Sequence, residues 1–240
     1  MSAARAASIR GAGFGSMPKF MRARDYGLTL PSAECLHGGD NGVRQQVLLQ
    51  TLSRLEEASS DARYHRLAQA NLARWAKDAH PSPPPAGSCT VRVLPGDWGE
   101  VTLTLTKEYG TTFAALNMAN AYGPGGGYTD GMVAQEENMF RRTDCHFSLQ
   151  KGSDFDPDTE EYLPEHTAEI NAEKGRVYLD VEHPRVCIRG PEDRSRDDLG
   201  YDWLDDDDVF PFIELRAAAL DLRHPGLQYC TAPGRTRSRS

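Results

Sequence analysis

Hydrophobic residues recur on two different periods along this chain. Between residues 43 and 77 they return every three or four positions: Val43, Val47, Leu48, Leu52 and Leu55, then Leu67, Leu72 and Trp75. That spacing lines one face of a helix, so helices are predicted over 43–77, with Asn41-Gly42 as the turn and cap before them. The segment HPSPPPAGS at 80–88 breaks any helix and reads as a stiff linker. Beyond it the period shortens. Thr90–Leu94 and Val101–Thr106 read as strands, with Asp97-Trp98-Gly99 between them as a hairpin turn. Thr112–Met118 is nearly all apolar, as a central strand covered on both faces would be. Residues 134–142 suit a helix, 177–189 two strands around His183-Pro184, and 211–223 an amphipathic helix opening on Pro211. Strands interleaved with helices predict an α/β sandwich, and no internal repeat is visible.

With 240 residues the chain holds one large domain or two small ones. No run of 18 apolar residues occurs, so no membrane-spanning helix and no membrane partner are expected. The net charge of −8 is unevenly spread. Setting aside the five bases of residues 1–24 and the three of the last seven residues leaves −16 for 25–233. A body that acidic is a poor binder of nucleic acid, and no direct nucleic-acid binding is expected. Between 154 and 208 there are 19 acidic residues against 6 Lys or Arg, ending in Asp205–Asp208. Such a run is a solvated loop in the ordinary case and a cation site in the rarer one.

Five cysteines without a CxxC pair point to reduced thiols in a cytoplasmic compartment, and the thin Cys/His pairings carry no zinc site. Residues 1–24 are Arg-, Ala- and Ser-rich without an acid, which fits a disordered leader or a mitochondrial presequence; mitochondrial localisation is the alternative to cytoplasmic.

Chemistry concentrates in Leu116–Cys145, LNMANAYGPGGGYTDGMVAQEENMFRRTDC. An apolar strand runs into Pro124-Gly125-Gly126-Gly127. Three successive glycines cost backbone entropy and suit a loop that approaches a ligand and offers it N–H groups, although flexible loops contain them too. Gln135-Glu136-Glu137 then opens a helix, where carboxylates favour the positive end of the dipole, and Glu137 with Arg141 has the spacing of a plain i,i+4 pair. Neighbours on a helix point ~100° apart, so one glutamate is expected to face the glycine loop while the other supports. Tyr122 and Tyr128 flank the loop, placed either to stack on a base or ribose or to pack.

NMAN, then PGGG, seven residues, QEE and RR together resemble the signature of microbial-type poly(ADP-ribose) glycohydrolases. The resemblance implies a macrodomain-like three-layer α/β/α sandwich with a mixed sheet and a helical N-terminal extension. The chain is then expected to divide into the disordered leader or targeting segment at 1–24, the helical extension at 25–85, a macrodomain-like catalytic region at 86–233 and a basic tail at 234–240. It implies hydrolysis of ribose–ribose O-glycosidic bonds in poly(ADP-ribose) or of ADP-ribose on modified proteins, without metal or organic cofactor. Residue by residue, Asn120 matches the asparagine that binds the ribose next to the scissile bond. Gly125, Gly126 and Gly127 match the loop around the diphosphate and that same ribose, and Tyr128 beside them is taken as a further ADP-ribose-binding candidate. Glu137 matches the catalytic acid and Glu136 the residue that positions the ribose; Gln135 matches a supporting residue of the signature. Members continue after the last helix into a strand and a second loop, GCGxFxN. Here HPGLQYCTAPGRTRSRS follows residue 223, so Leu227–Thr231 is expected to begin that strand and the loop is missing. The alternatives to the enzyme are therefore a non-catalytic ADP-ribose-binding module or an inactive truncated member.

Overall fold

A computed structural model describes residues 21–79, 89–175 and 177–219. The expected linker at 80–88, the strand start at 227–231, the basic tail and most of the leader lie outside the described residues. The helical pattern at 43–77 forms α1 (Gly39–Glu57) and α2 (Arg63–Asp78), with left-handed Ala62 turning the chain between them. The apolar stripe faces inward: α1 buries Val47, Leu48, Leu52 and Leu55, and α2 buries Tyr64, Ala68 and Trp75. Each buried valine or leucine contributes roughly 1.5–3 kcal/mol by leaving water. Asn41-Gly42 is no turn, because both residues lie inside α1. Gly42 is needed there because the His37 carbonyl occupies the space of a Cβ.

The strand expected at Val101–Thr106 is a helix, α3 (Trp98–Tyr109), and its supposed hairpin turn is the helix start. Asp97 Oδ1 accepts the N–H groups of Gly99 and Glu100 at 2.9 and 3.3 Å, and Glu100 reaches back to the Asp97 N–H at 3.4 Å, a complete capping box. Gly110, left-handed at φ 59°, closes the other end. The apolar/threonine alternation misleads because α3 buries Gly99, Thr102 and Thr106, a helical face built from small and hydroxyl side chains. Thr90–Leu94 forms no strand either: Val91 and Val93 are 84% and 93% exposed.

The expected strand at 112–118 and helix at 134–142 form as β1 (Ala114–Ala119) and α4 (Gln135–Arg142). After α5 (Pro164–Ile170) come β2 (Tyr178–Leu179) and β3 (Arg185–Cys187), the two strands around His183-Pro184. Residues 211–223, expected as a helix, instead begin with β4 (Phe210–Ala218). In a strand, Phe210, Phe212, Glu214 and Arg216 share one face. Glu214 and Arg216, both buried, pair there at 2.8 Å, a neutralisation that helical spacing at i,i+2 would not allow.

The sheet is mixed. β4 is its centre, parallel to β1 on one side and antiparallel to β2 and β3 on the other. α4 packs on β1, α2 on β4 and β3, and α5 on β4 and β2. This is the mixed α/β arrangement expected of a macrodomain-like chain. On β1, Ala115, Asn117 and Ala119 point into the core, while Leu116 and Met118 are 49% and 61% exposed among the described residues. β1 is thus covered on one face there, and not on both.

The acidic run is more than a solvated loop. Asp206, Asp207 and Asp208 pair with Arg63, Arg74 and Lys107, each at 2.7 Å, and dock the chain before β4 onto α2 and α3. Deeper in, Glu192 takes Arg44 of α1 at 2.8 Å on one oxygen and the Tyr201 hydroxyl at 2.8 Å on the other. That hydroxyl accepts Arg141 Nε at 3.0 Å, so the 189–203 loop links α1 to α4. Leu199 and Tyr201 take left-handed φ values of 57° and 54° in making this link.

Candidate active site

β1 ends at Ala119, and the chain then crosses a loop at 120–134 before entering α4. Asn120 shapes the first part: its Oδ1 accepts the N–H groups of Tyr122 and Gly123 at 2.8 and 2.9 Å. Gly125 and Gly126 follow at φ 75° and 57°, two consecutive left-handed residues that favour glycine. They also lack room for a side chain. A Cβ on Gly125 would meet the Tyr128 and Phe140 rings, and one on Gly126 would strike Glu137 Oε1 and come within 3.1 Å of Glu136 Oε2.

Both carboxylates therefore converge on the glycine loop, where helical spacing predicts only one. Glu136 Oε2 accepts the Asn120 N–H at 2.7 Å, and Glu137 Oε1 accepts the Gly127 N–H at 3.0 Å. Two rotatable carbons beyond Cβ let each side chain bend to the same loop from a different azimuth. Gln135 joins them, its amide bonded to Met118 N and Leu116 O, both at 2.8 Å. Each residue of the QEE triplet thus holds a different point of the chain between 116 and 127.

The loop's N–H groups are largely spent on this architecture. Gly126 donates to Gly123 O at 3.1 Å and Gly127 to Glu137, so of the three glycines Gly125 alone has an N–H that bonds nothing among the described residues. The expected anion nest is correspondingly reduced. Glu137 presents the opposite case: its side chain is buried, and Oε2 has no partner among the described residues.

Beneath Glu136 lies a buried polar network. Asn117 Nδ2 bridges Glu136 Oε1 at 3.4 Å and Glu214 Oε1 at 2.8 Å, while its own Oδ1 has no partner among the described residues. Glu214 also takes both ends of Arg216, at 3.0 and 2.8 Å, and Arg185 at 3.4 Å. The two glutamates have opposite fates. Burial pushes Glu136 up to about 8, with Glu137 and Glu214 adding to the rise against the Asn120 N–H and Arg216. Burial acts the same way on Glu214, but Arg216, Arg185 and Asn117 overcome it and hold the group down to about 2. Near neutral pH the site thus holds an ionised Glu214 and a mostly protonated Glu136. Sequence reading missed Asn117, Glu214 and Arg216. The period-two spacing of Phe212, Glu214 and Arg216 was the available signal, obscured by the amphipathic look of the segment.

Tyr128 does not offer its ring to a ligand. It is fully buried, with its ring 4.7 Å from that of Phe140 and its hydroxyl accepting the Leu28 N–H at 2.9 Å. The same hydroxyl donates to His146 Nδ1 at 2.8 Å, since His146 Nε2–H is committed to Ala23 O at 2.7 Å. Burial depresses His146 to about 4, which keeps the ring neutral for this role. The packing reading of Tyr128 holds, and Tyr122 is the exposed aromatic of the pair. Nor does Glu137 pair with Arg141, whose Nε and Nη1 bond Tyr201 and the Met132 carbonyl. Among the described residues no three His, Cys, Asp or Glu side chains cluster as metal ligands would.

The glycine loop follows the carboxyl end of β1, the strand parallel to β4, and its side of the molecule receives both carboxylates of a mixed α/β fold. The chain belongs to the family of microbial-type PARG (poly(ADP-ribose) glycohydrolase) catalytic domains, whose family model matches residues 41–170, more than half its length. Two crystal structures of poly(ADP-ribose) glycohydrolase from Thermomonospora curvata, one bound to the inhibitor ADP-HPD, are similar at 18% and 19% identity, with TM-scores of 0.39 and 0.40. The alignments cover 73% of this chain and 62% and 64% of those chains, so it spans under two thirds of their length. No curated protein matches it.

Proposed function

We propose that this chain hydrolyses the O-glycosidic bonds of poly(ADP-ribose), with Glu137 as the acid and base of the reaction. The observation that carries the reading is the state of that side chain. One carboxylate oxygen is anchored on the Gly127 N–H, and the other is buried without a partner beside the glycine loop. A buried oxygen left unbonded costs about 1–3 kcal/mol, which a substrate proton acceptor or a water would relieve.

In the proposed reaction Glu137 gives its proton to the leaving ribose oxygen as the glycosidic C–O bond breaks. Positive charge develops on the anomeric carbon. The carboxylate then takes a proton from the water whose oxygen bonds that carbon, which restores the acid. Asn120 and Glu136 stand next to the ribose in this reading, and the N–H of Gly125 faces the diphosphate. Partners are ADP-ribose units on modified proteins. A reducing, cytoplasmic setting fits four thiols, Cys35, Cys89, Cys145 and Cys187, that form no disulfide among the described residues.

Glu137→Gln tests the assignment. Release of ADP-ribose from labelled poly(ADP-ribose) is expected to fall by at least ~10²-fold, the lower range for loss of a general acid. Calorimetric binding of free ADP-ribose is expected to persist. Full turnover by the variant would sink the role of Glu137, and binding without turnover by the unaltered protein would make it a reader module.

A further inference from the structure

Among the described residues, β1 has a strand on one edge only, and a side chain stands at the other. Residues 113, 115 and 117 direct their backbone groups towards β4, as the Ile213 N–H to Phe113 O bond of 2.9 Å shows. Leu116 O and Met118 N therefore face the other way, where an unpaired strand edge would stand open. The Gln135 side chain occupies that place. Its Nε2 donates to Leu116 O and its Oε1 accepts the Met118 N–H, each at 2.8 Å, so one planar amide reproduces the donor and acceptor of a strand residue.

We infer that Gln135 is a positioning residue, whose amide docks on the edge of β1 and fixes the start and rotation of α4 so that Glu136 and Glu137 reach the loop. The inference rests on the reading proposed above and deepens it. Three features support the role. Gln135 is the first residue of α4, whose N-cap, Ala134, offers no side-chain cap. Its anchor points lie two and four residues before Asn120, whose N–H Glu136 holds. The alignment is also chemically selective. A glutamate here would accept from Met118 but, when ionised, would set a carboxylate oxygen against the Leu116 carbonyl; a methionine would fill the space and bond neither.

The test compares Gln135→Met and Gln135→Glu with the unaltered protein. Turnover of poly(ADP-ribose), binding of ADP-ribose and the exchange protection of the Asn120 and Gly127 N–H groups are measured. For Gln135→Met we expect kcat to fall on the order of 10²-fold, as for a catalytic group displaced by about an ångström. ADP-ribose affinity should change by less than about threefold. Protection of Asn120 and Gly127 should drop while that of Phe140–Arg142 stays.

Gln135→Glu supplies the rescue. A protonated carboxyl offers the same acceptor and donor as the amide, so its kcat relative to the unaltered protein should rise as pH falls from 8 to 5. The titratable and charged groups around the new carboxyl are Glu136 and Glu137 on its own helix and Asp97, Glu192, Asp193 and Arg194 across the cleft. Unchanged protection and kcat in the methionine variant, or a kcat ratio flat with pH in the glutamate variant, would overturn the inference. If the unaltered protein shows no turnover, the enzymatic reading fails, and the exchange protection alone decides the role of Gln135.

Discussion

Replacing Glu136 with glutamine removes a titration that the fold itself creates. In the unfolded chain this carboxyl ionises near 4.5; buried behind Asn120 and facing Glu137 and Glu214, it is pushed up to about 8. The folded state then keeps a proton that the unfolded chain releases. The resulting stabilisation is complete below about pH 4.5 and is lost as pH rises to about 8. At 1.36 kcal/mol per pKa unit the loss across that window is on the order of 3–5 kcal/mol. Glutamine stays neutral throughout and still accepts the Asn120 N–H. Its amide nitrogen would replace Oε1, which accepts only the long 3.4 Å contact from Asn117 Nδ2, whose 2.8 Å bond to Glu214 stays.

Urea unfolding of both proteins at pH 5, 6, 7 and 8 reads the effect directly. The two should nearly coincide at pH 5, with the variant gaining by up to about 1.4 kcal/mol per pH unit above that. His166, raised by its bond to Asp154, titrates in both proteins and cancels in the difference. Parallel stability profiles, or a variant that weakens relative to the unaltered protein as pH rises, would refute the buried neutral carboxyl.

Three further outcomes follow from the contacts around the loop. Gly126→Ala forces a left-handed alanine into two carboxylates; turnover should fall on the order of 10²-fold through displaced geometry, with backbone strain costing ~1–3 kcal/mol in thermal unfolding. Tyr128→Phe leaves the buried Leu28 N–H and His146 Nδ1 without the hydroxyl between them, and denaturant titration should show a loss of about 1–3 kcal/mol. Asp97→Ala removes the α3 capping box and the 2.8 Å pair with Arg142, and should cost about 1–2 kcal/mol by the same measurement.

Legibility in the sequence followed the kind of signal each element carried. α1 and α2 could be read because their apolar stripes are long and single-phased, and α4 because its carboxylates stand in the first turn, where the helix dipole favours them. The glycine run and QEE could be read because both are consecutive in the chain. α3 could not, since its buried face is threonine and glycine and its visible apolar residues alternate. β4 was hidden by composition: Ile213, Leu215 and three alanines resemble a helix and mask the period-two spacing of Phe212, Glu214 and Arg216. The site was therefore half visible. Glu136, Glu137 and Asn120 stood in the motif, whereas the network that sets the charge of Glu136 joins Asn117 of the same motif to Glu214 and Arg216, nearly 100 residues away, a pairing that only the folded sheet makes.

The hydroxyl of Tyr201 gives the molecule an indivisible unit. Through it and Glu192, Arg44 of the N-terminal helix and Arg141 of the QEE helix share one set of buried charges. Lifting α1 away would take Arg44 from Glu192 and leave ionised groups in the interior unmatched, a loss in the range of 3–5 kcal/mol for a broken buried pair. Local opening is correspondingly discouraged on both sides of the junction. The helix bearing Glu136 and Glu137 is thus tied, through Arg141, to a residue almost a hundred positions upstream, so opening of one end carries a cost at the other.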